Sequence, residues 1–190
     1  GFRRSTNSLG ISHALRKLVE TLDEEHVPGM LIGGYALPAY GRIRATIDVD
    51  IAIAATFSEV VKLCGQLVKR GFQLPSSPDE RAQLFVLTDL RNRAEIEVWT
   101  KPDGVVFDEE LLRRRVKVRP FDDDFGMFAI GPEDFIVNKL SRKDRGVQDE
   151  MDVISVLRLQ KDRLDYEYLA KRAKAADVAG FLQMLSENIT

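Results

Sequence analysis

The chain has 190 residues, 44% hydrophobic and 31% charged, with a formal net charge of −2. This is the composition of a soluble globular protein with a real core, long enough for one domain or for a domain with a helical appendage. The near-neutral charge excludes a global electrostatic pull toward nucleic acid or anionic membrane, and no apolar run reaches the length of a membrane span or forms a signal core at the N-terminus.

The sequence opens on Gly1 rather than Met, and a processed or trimmed chain is the expectation. Leu9, Ile11, Leu15, Leu18, Val19 and Leu22 recur at helical spacing and predict an amphipathic helix over about residues 8–26. Met30 to Ile32 reads as a short buried strand. Gly33-Gly34 then turns the chain into a short helix through Tyr35 to Tyr40, and Val49 to Ala54 reads as a strand. A helix over Phe57 to Arg70 has Thr56 or Ser58 as its cap and Gly71 as its stop. Cys64, the only cysteine, falls among apolar residues of that helix. It cannot form an intramolecular disulfide, and a reducing cytoplasm is the simplest setting. Leu84 to Thr88 and Ala94 to Thr100 predict an antiparallel hairpin around Asp89 to Arg93. A helix near Asp108 to Arg114 follows, then strands around Val116 to Phe121 and Met127 to Ile130.

From Gly131 on, the pattern is helical. Pro132 suits a first turn, and Glu133 and Asp134 suit its positive end. Further helices are expected near Asp149–Leu159, Asp165–Ala176 and Val178–Glu187. The fold class is therefore α+β: a small mixed β-sheet core with flanking helices over residues 1–130, and a helical C-terminal unit over 131–190 packed on it.

Within that core, Asp48 and Asp50 alternate with Val49, Ile51 and Ile53, so on a strand both carboxylates point to one face. Two uncompensated carboxylates in close approach repel, and something must neutralise them. A divalent cation would do so, since Mg²⁺ favours carboxylate oxygens together with phosphates and water. Pairing with Arg42 or Arg44, or exposure at a strand end, would do so equally. "AEIEVWT" places Glu95 and Glu97 on one face of a second strand. If the two strands pair, a third carboxylate lies about 5 Å away across the ladder, and three carboxylates can hold two metals; the alternative is an ordinary amphipathic strand with its polar face in water. Gly33 and Gly34, at a strand-to-helix turn, would let backbone approach a phosphate. The pair is neither a Walker loop nor Gly-x-Gly-x-x-Gly.

Ile32-Gly33-Gly34, Asp48-Val49-Asp50 and Glu97 together resemble the motif of the nucleotidyltransferase superfamily of polymerase-beta-like fold. Thirteen residues separate Gly34 from Asp48, at the long end of that motif, and the third acid is Glu where Asp is usual, with Glu95 competing for the role. Arg44-Ala45-Thr46-Ile47-Asp48-Val49-Asp50, the stretch Gly131 to Leu140 and the stretch Gln148 to Asp152 are similar to the branch that includes type IV abortive-infection toxins of toxin–antitoxin pairs. The resemblance implies transfer of a nucleoside monophosphate from an NTP, ATP among them, to a hydroxyl on tRNA, protein or a small molecule, with Mg²⁺ or Mn²⁺ as cofactor and an antitoxin protein as a partner. It implies that Asp48, Asp50 and Glu97 hold metal and that Gly33 and Gly34 cradle the phosphates. Lys139 would offset triphosphate charge, where the residue alone reads as a solvated lysine. Arg42, Arg44 and Thr46 are secondary candidates for phosphate or acceptor contact, against a plain surface loop.

Other features read more simply. The basic run Arg113 to Arg119 would track an RNA backbone or form a solvated strand face, with Asp122-Asp123-Asp124 just after it. His13 and His26 have no ligand-spaced neighbours; Asp149 and Asp152 would cap and solvate one helix; Trp99 would be core. A metal-dependent glycosyltransferase is a rival enzyme class, but the chain is short for it and the Gly-Gly-to-Asp-x-Asp order does not fit. A nucleotidyltransferase fold that only binds nucleotide or a partner protein is the rival outside catalysis.

Overall fold

Seven strands form one mixed sheet in a computed structural model that describes residues 2–121, 124–187 and 189, side chains of residues 2–8 excepted. The strands are β1 (Gly29–Ile32), β2 (Asp50–Ile53), β3 (Phe72–Gln73), β4 (Leu84–Asp89), β5 (Glu95–Trp99), β6 (Val116–Val118) and β7 (Met127–Ala129). Their order across the sheet is β3-β4-β5-β2-β1-β7-β6. β2 runs antiparallel to β1 and parallel to β5, and β1 runs parallel to β7. The predicted hairpin is present as β4 and β5. The two-residue β3 is too short to leave a period in the sequence.

The helices are α1 (Phe2–Glu24), α2 (Phe57–Lys69), α3 (Glu109–Arg113), α4 (Pro132–Ser141), α5 (Val147–Leu159), α6 (Tyr166–Ala175) and α7 (Ala179–Glu187). α1 begins six residues before the predicted start near residue 8, outside the apolar stripe that marked it. Its Leu15, Leu18 and Leu22 are buried in the core shared with Leu63 and Leu67 of α2. Each such leucine contributes about 1.5–3 kcal/mol of burial. Thr56 caps α2 through a reciprocal box: its side chain accepts from Glu59 N–H, and Glu59 accepts from Thr56 N–H at 2.7 Å. Gly71, at φ +87°, lets the chain leave α2 at once.

Ile51, Ala52 and Ile53 are all fully buried, so β2 is covered on both faces. The Gly-Gly segment is a 3₁₀ helix, Gly33–Tyr40, against which α4 and α5 pack. Tyr40 is buried there against Phe135 and donates its hydroxyl to the Ile130 carbonyl. One continuous apolar cluster runs from Leu15 in α1 through Ile51 and Val98 to Val153 and Leu169 in the C-terminal helices.

Candidate active site

The end of β1, the start of β2 and the middle of β5 meet at one point of the sheet. Ile32, the last residue of β1, pairs with Asp50, and Asp50 pairs with Glu97 of β5. Glu97 N–H donates to the Val49 carbonyl at 2.9 Å, which locks that register. Cross-strand partners point to the same face, so the Asp50 and Glu97 carboxylates face the same cleft. The cleft has a volume of about 350 Å³ and is walled by Gly33, Asp48, Asp50, Glu97, Trp99, Lys139 and Arg142, among others. Asp48 lies in the irregular segment just before β2, exposed, rather than on the strand.

Gly33 is required here. Its φ is +62°, and a Cβ on it would sit 2.5 Å from Asp50 Oδ2. The Trp99 indole N–H donates to Asp50 Oδ1 at 3.2 Å, so Asp50 is held from both sides. Glu97 bears the electrostatic cost. Burial, a hydrogen bond to Asp50 and repulsion from Asp50 and Asp48 push its carboxyl up to about 7. Of the two glutamates, Glu97 is therefore the one in the cluster; Glu95 is exposed and pairs with Thr88 of β4.

The donors are all carboxylate oxygens, which suits Mg²⁺ or Mn²⁺. Among the described residues no three Asp, Glu, His or Cys side chains stand close enough to hold a metal ion unaided. Two touching carboxylates whose joint ionisation is resisted fit the Mg²⁺ habit of taking one or two protein ligands and completing its shell with substrate phosphate and water.

The arginines that offered to neutralise the Asp-x-Asp pair are engaged elsewhere. Arg44 makes a two-pronged contact with Asp152 of α5, Nε at 3.0 Å and Nη2 at 2.9 Å. Arg42 Nε lies 3.4 Å from the same carboxylate, and its guanidinium also donates to Ser155. Lys139 Nζ lies 2.8 Å from Asp149 and 3.3 Å from Asp152. Asp152 is thus a fully buried hub for three cations, where the sequence suggested a solvated helix face. Burial opposes its ionisation, but Arg44, Lys139 and Gln148 outweigh that and hold its carboxyl below the usual range. Asp149 does cap α5, accepting from Gly146 N–H at 3.1 Å. Thr46 and Arg44 pack on Gly34, where a Cβ would meet Thr46 Oγ1 at 2.6 Å, so Gly34 admits this loop rather than opening on the cleft.

Lys139 walls the cleft but is only 2% exposed and doubly paired, neither solvated nor free. The cation that sequence reasoning missed is Arg142. It ends α4, bonds Asp144 at 3.0 and 3.1 Å, and has its positive charge reinforced chiefly by that contact, with Asp149 and Asp50 adding to it. Nothing in "LSRKDRG" separates Arg142 from Lys143 or Arg145; the extended backbone at the helix end does.

The basic run is mostly structural. Arg113 and Arg114 pair with Glu110, Arg114 also with Asp165, and Arg115 stacks on Phe128. Asp122 and Asp123 lie outside the described residues; Asp124 pairs with Arg16 at 3.3 Å. His13 and His26 are exposed. Burial pushes the Cys64 thiol up to about 11, in keeping with a packing role.

No protein-family model matches the chain, and no curated protein matches it. Solved structures are. The antibiotic-resistance factor ANT(2'')-Ia aligns over 92% of this chain and 92% of its own, at 12% identity and a TM-score of 0.50. The lincosamide antibiotic adenylyltransferase LnuA, lincomycin-bound, aligns over 77% of this chain and 96% of its own, at 13% identity and a TM-score of 0.49. An antigenic nucleotidyltransferase-like protein from Paracoccidioides brasiliensis aligns over 94% and 92%, at 17% identity and 0.49. No helix among the described residues is long and apolar enough to cross a membrane. The architecture is α+β, a seven-stranded mixed sheet flanked by helices and followed by a helical C-terminal unit, and it is a fold shared with ANT(2'')-Ia.

Proposed function

We propose that this protein transfers a nucleoside monophosphate from an NTP to a hydroxyl acceptor and releases pyrophosphate. The observation that carries this reading is the register that sets Asp50 against Glu97 beside Gly33, with the Glu97 carboxyl held at about 7. A base works best when its pKa lies near the working pH. Ionised Glu97 takes the proton of the acceptor hydroxyl; the hydroxyl oxygen forms a bond to the α-phosphorus; the bond from that phosphorus to the bridging oxygen breaks, and pyrophosphate leaves with the electron pair. Asp48 and Asp50, with Glu97 beside them, are the residues that would hold Mg²⁺ or Mn²⁺, which would supply charge for the triphosphate and acidify the hydroxyl. Gly33 leaves room for phosphate beside Asp50. Arg142, and Lys139 behind it, offset phosphate charge.

Resemblance of the Arg44–Asp50, Gly131–Leu140 and Gln148–Asp152 stretches to abortive-infection toxins supports a cytoplasmic role as the toxin of a toxin–antitoxin pair, acting on tRNA or protein. The second reading, a module that binds nucleotide without transfer, is favoured by two observations. The third acid is Glu rather than Asp, and Lys139 is locked by Asp149 and Asp152. Each α-³²P-labelled NTP, incubated with Mg²⁺ or Mn²⁺, total RNA, lysate protein and small hydroxyl compounds, separates the two. Label appearing on one acceptor class, and lost with Asp50→Asn, supports transfer. No label on any of them, with intact Mg–NTP binding, selects the binding module.

A further inference from the structure

A second cavity, of about 550 Å³, opens beside Gly29, at the end of β1 away from the catalytic cleft. Its volume is that of a small-molecule site. Leu22, Val27, Met127 and Phe128 give it an apolar floor. Its charged groups are Arg115, Lys117, Asp23 and His26: two cations, one carboxylate and an imidazole.

Arg115 is the unusual member. Its guanidinium lies 4.2 Å over the Phe128 ring, and Nε and Nη1 donate to the Leu112 and Gly29 carbonyls, each at 3.0 Å. Among the described residues Nη2 has no hydrogen-bond partner, and neither Arg115 nor Lys117 has a carboxylate within ion-pair distance. Every other arginine of the basic run through Arg115 is matched by an acid: Arg113 by Glu110, Arg114 by Glu110 and Asp165. Partial burial without a partner works against the Arg115 charge, and only Asp23 offsets it, from a distance. A fixed, part-buried guanidinium with an open edge beside an aromatic floor is suited to a carboxylate or similar oxyanion on an apolar body.

We propose that this cavity is a binding site for a small amphipathic organic anion, its apolar body on Phe128 and Met127 and its oxyanion on Arg115 Nη2 and Lys117 Nζ. The site is separate from the catalytic cleft and does not depend on the transferase reading.

The test uses the full chain with 2-naphthoate as probe and the neutral 2-naphthamide as its isostere, by calorimetry and amide NMR. Naphthoate should bind saturably at one site, with naphthamide about tenfold weaker because the charge-assisted contact is lost. Amide shifts should concentrate at Gly29 and Gly126, not at Gly33. Lys117→Gln, at an exposed position, should weaken naphthoate several-fold without moving naphthamide, and Arg115→Lys should do the same. The proposal is overturned if the two probes bind equally, if neither saturates at millimolar concentration, if the shifts centre on Gly33, or if Lys117→Gln and Arg115→Lys both leave naphthoate affinity unchanged in folded protein.

Discussion

Asp50 and Glu97 are register partners in the parallel ladder of β2 and β5, so two strands distant in sequence deliver acidic side chains to one point of the sheet face. Among the described residues no cation is in hydrogen-bond contact with either carboxylate, and Arg42 and Arg44 are bound to Asp152 instead. The two carboxylates press against each other, and Glu97 takes up the strain as a raised affinity for its proton.

Asp50→Asn and Glu97→Gln are each expected to cut nucleotidyl transfer by at least about 10²-fold. Asn at 50 can still accept from the Trp99 indole, and either change relieves repulsion, so the melting temperature should hold or rise. Initial rates of label transfer and thermal unfolding on the same preparations check both halves. Wild-type rates in either variant would remove it from the chemistry.

Asp152→Asn should destabilise the fold by about 3 kcal/mol, because three cations then lose a buried counter-charge. Urea unfolding measures this. A loss below about 0.5 kcal/mol, the scale of a surface pair, would show that the hub is not holding the Arg42–Thr46 segment onto α5.

Gly33→Ala combines an unfavourable positive φ with a collision at Asp50, and should cost about 1–3 kcal/mol. Gly65→Ala is its control. That glycine lies inside α2 with nothing within 4 Å of a new Cβ, so the substitution should stabilise by about 0.5–1 kcal/mol. Denaturant midpoints of the two variants should move in opposite directions.

Asp134 gives a pH signature. Its carboxyl accepts from the Tyr168 hydroxyl at 2.8 Å and lies 3.8 Å from Arg172 Nε, yet burial dominates and raises it from 3.8 to about 6. The native state therefore holds this proton more tightly than the unfolded chain, and between about pH 4 and 6 the contribution of Asp134 to stability falls as pH rises. Asp134→Asn should remove that slope. The difference between wild-type and variant unfolding free energies, measured in urea across pH 4 to 7, isolates it; parallel profiles would refute the shift.

Arg142 and Lys139 should separate in their effects. Arg142→Ala is expected to reduce the rise in melting temperature produced by Mg–NTP while leaving the protein without nucleotide near wild-type stability. Lys139→Ala should destabilise by about 3 kcal/mol, because it breaks buried ion pairs to two carboxylates. Equal loss of ligand stabilisation in both variants would return Lys139 to direct triphosphate contact.

Much of this protein is legible from the sequence alone. The hairpin partners, the capped helix Phe57–Lys69 and the four C-terminal helices follow from periodicity, Gly and Pro punctuation and capping residues, all of them local. Asp-x-Asp, Gly-Gly and the Glu97 strand were likewise visible as chemistry in need of a partner. What the sequence by itself could not decide is which charge meets which. Asp152 looked like a helix-surface residue because helical spacing says only which face it shares; burial of that face under the 3₁₀ helix and the Arg42–Arg44 loop made it a counter-ion. The choice between Glu95 and Glu97 has no local signal either, since both point to one face of β5. A register fixed by backbone hydrogen bonds between strands more than forty residues apart places Glu97 against Asp50 and leaves Glu95 beyond the end of β2. Pair energies between charges depend on distance and on exclusion of water, and both are properties of the packed chain alone.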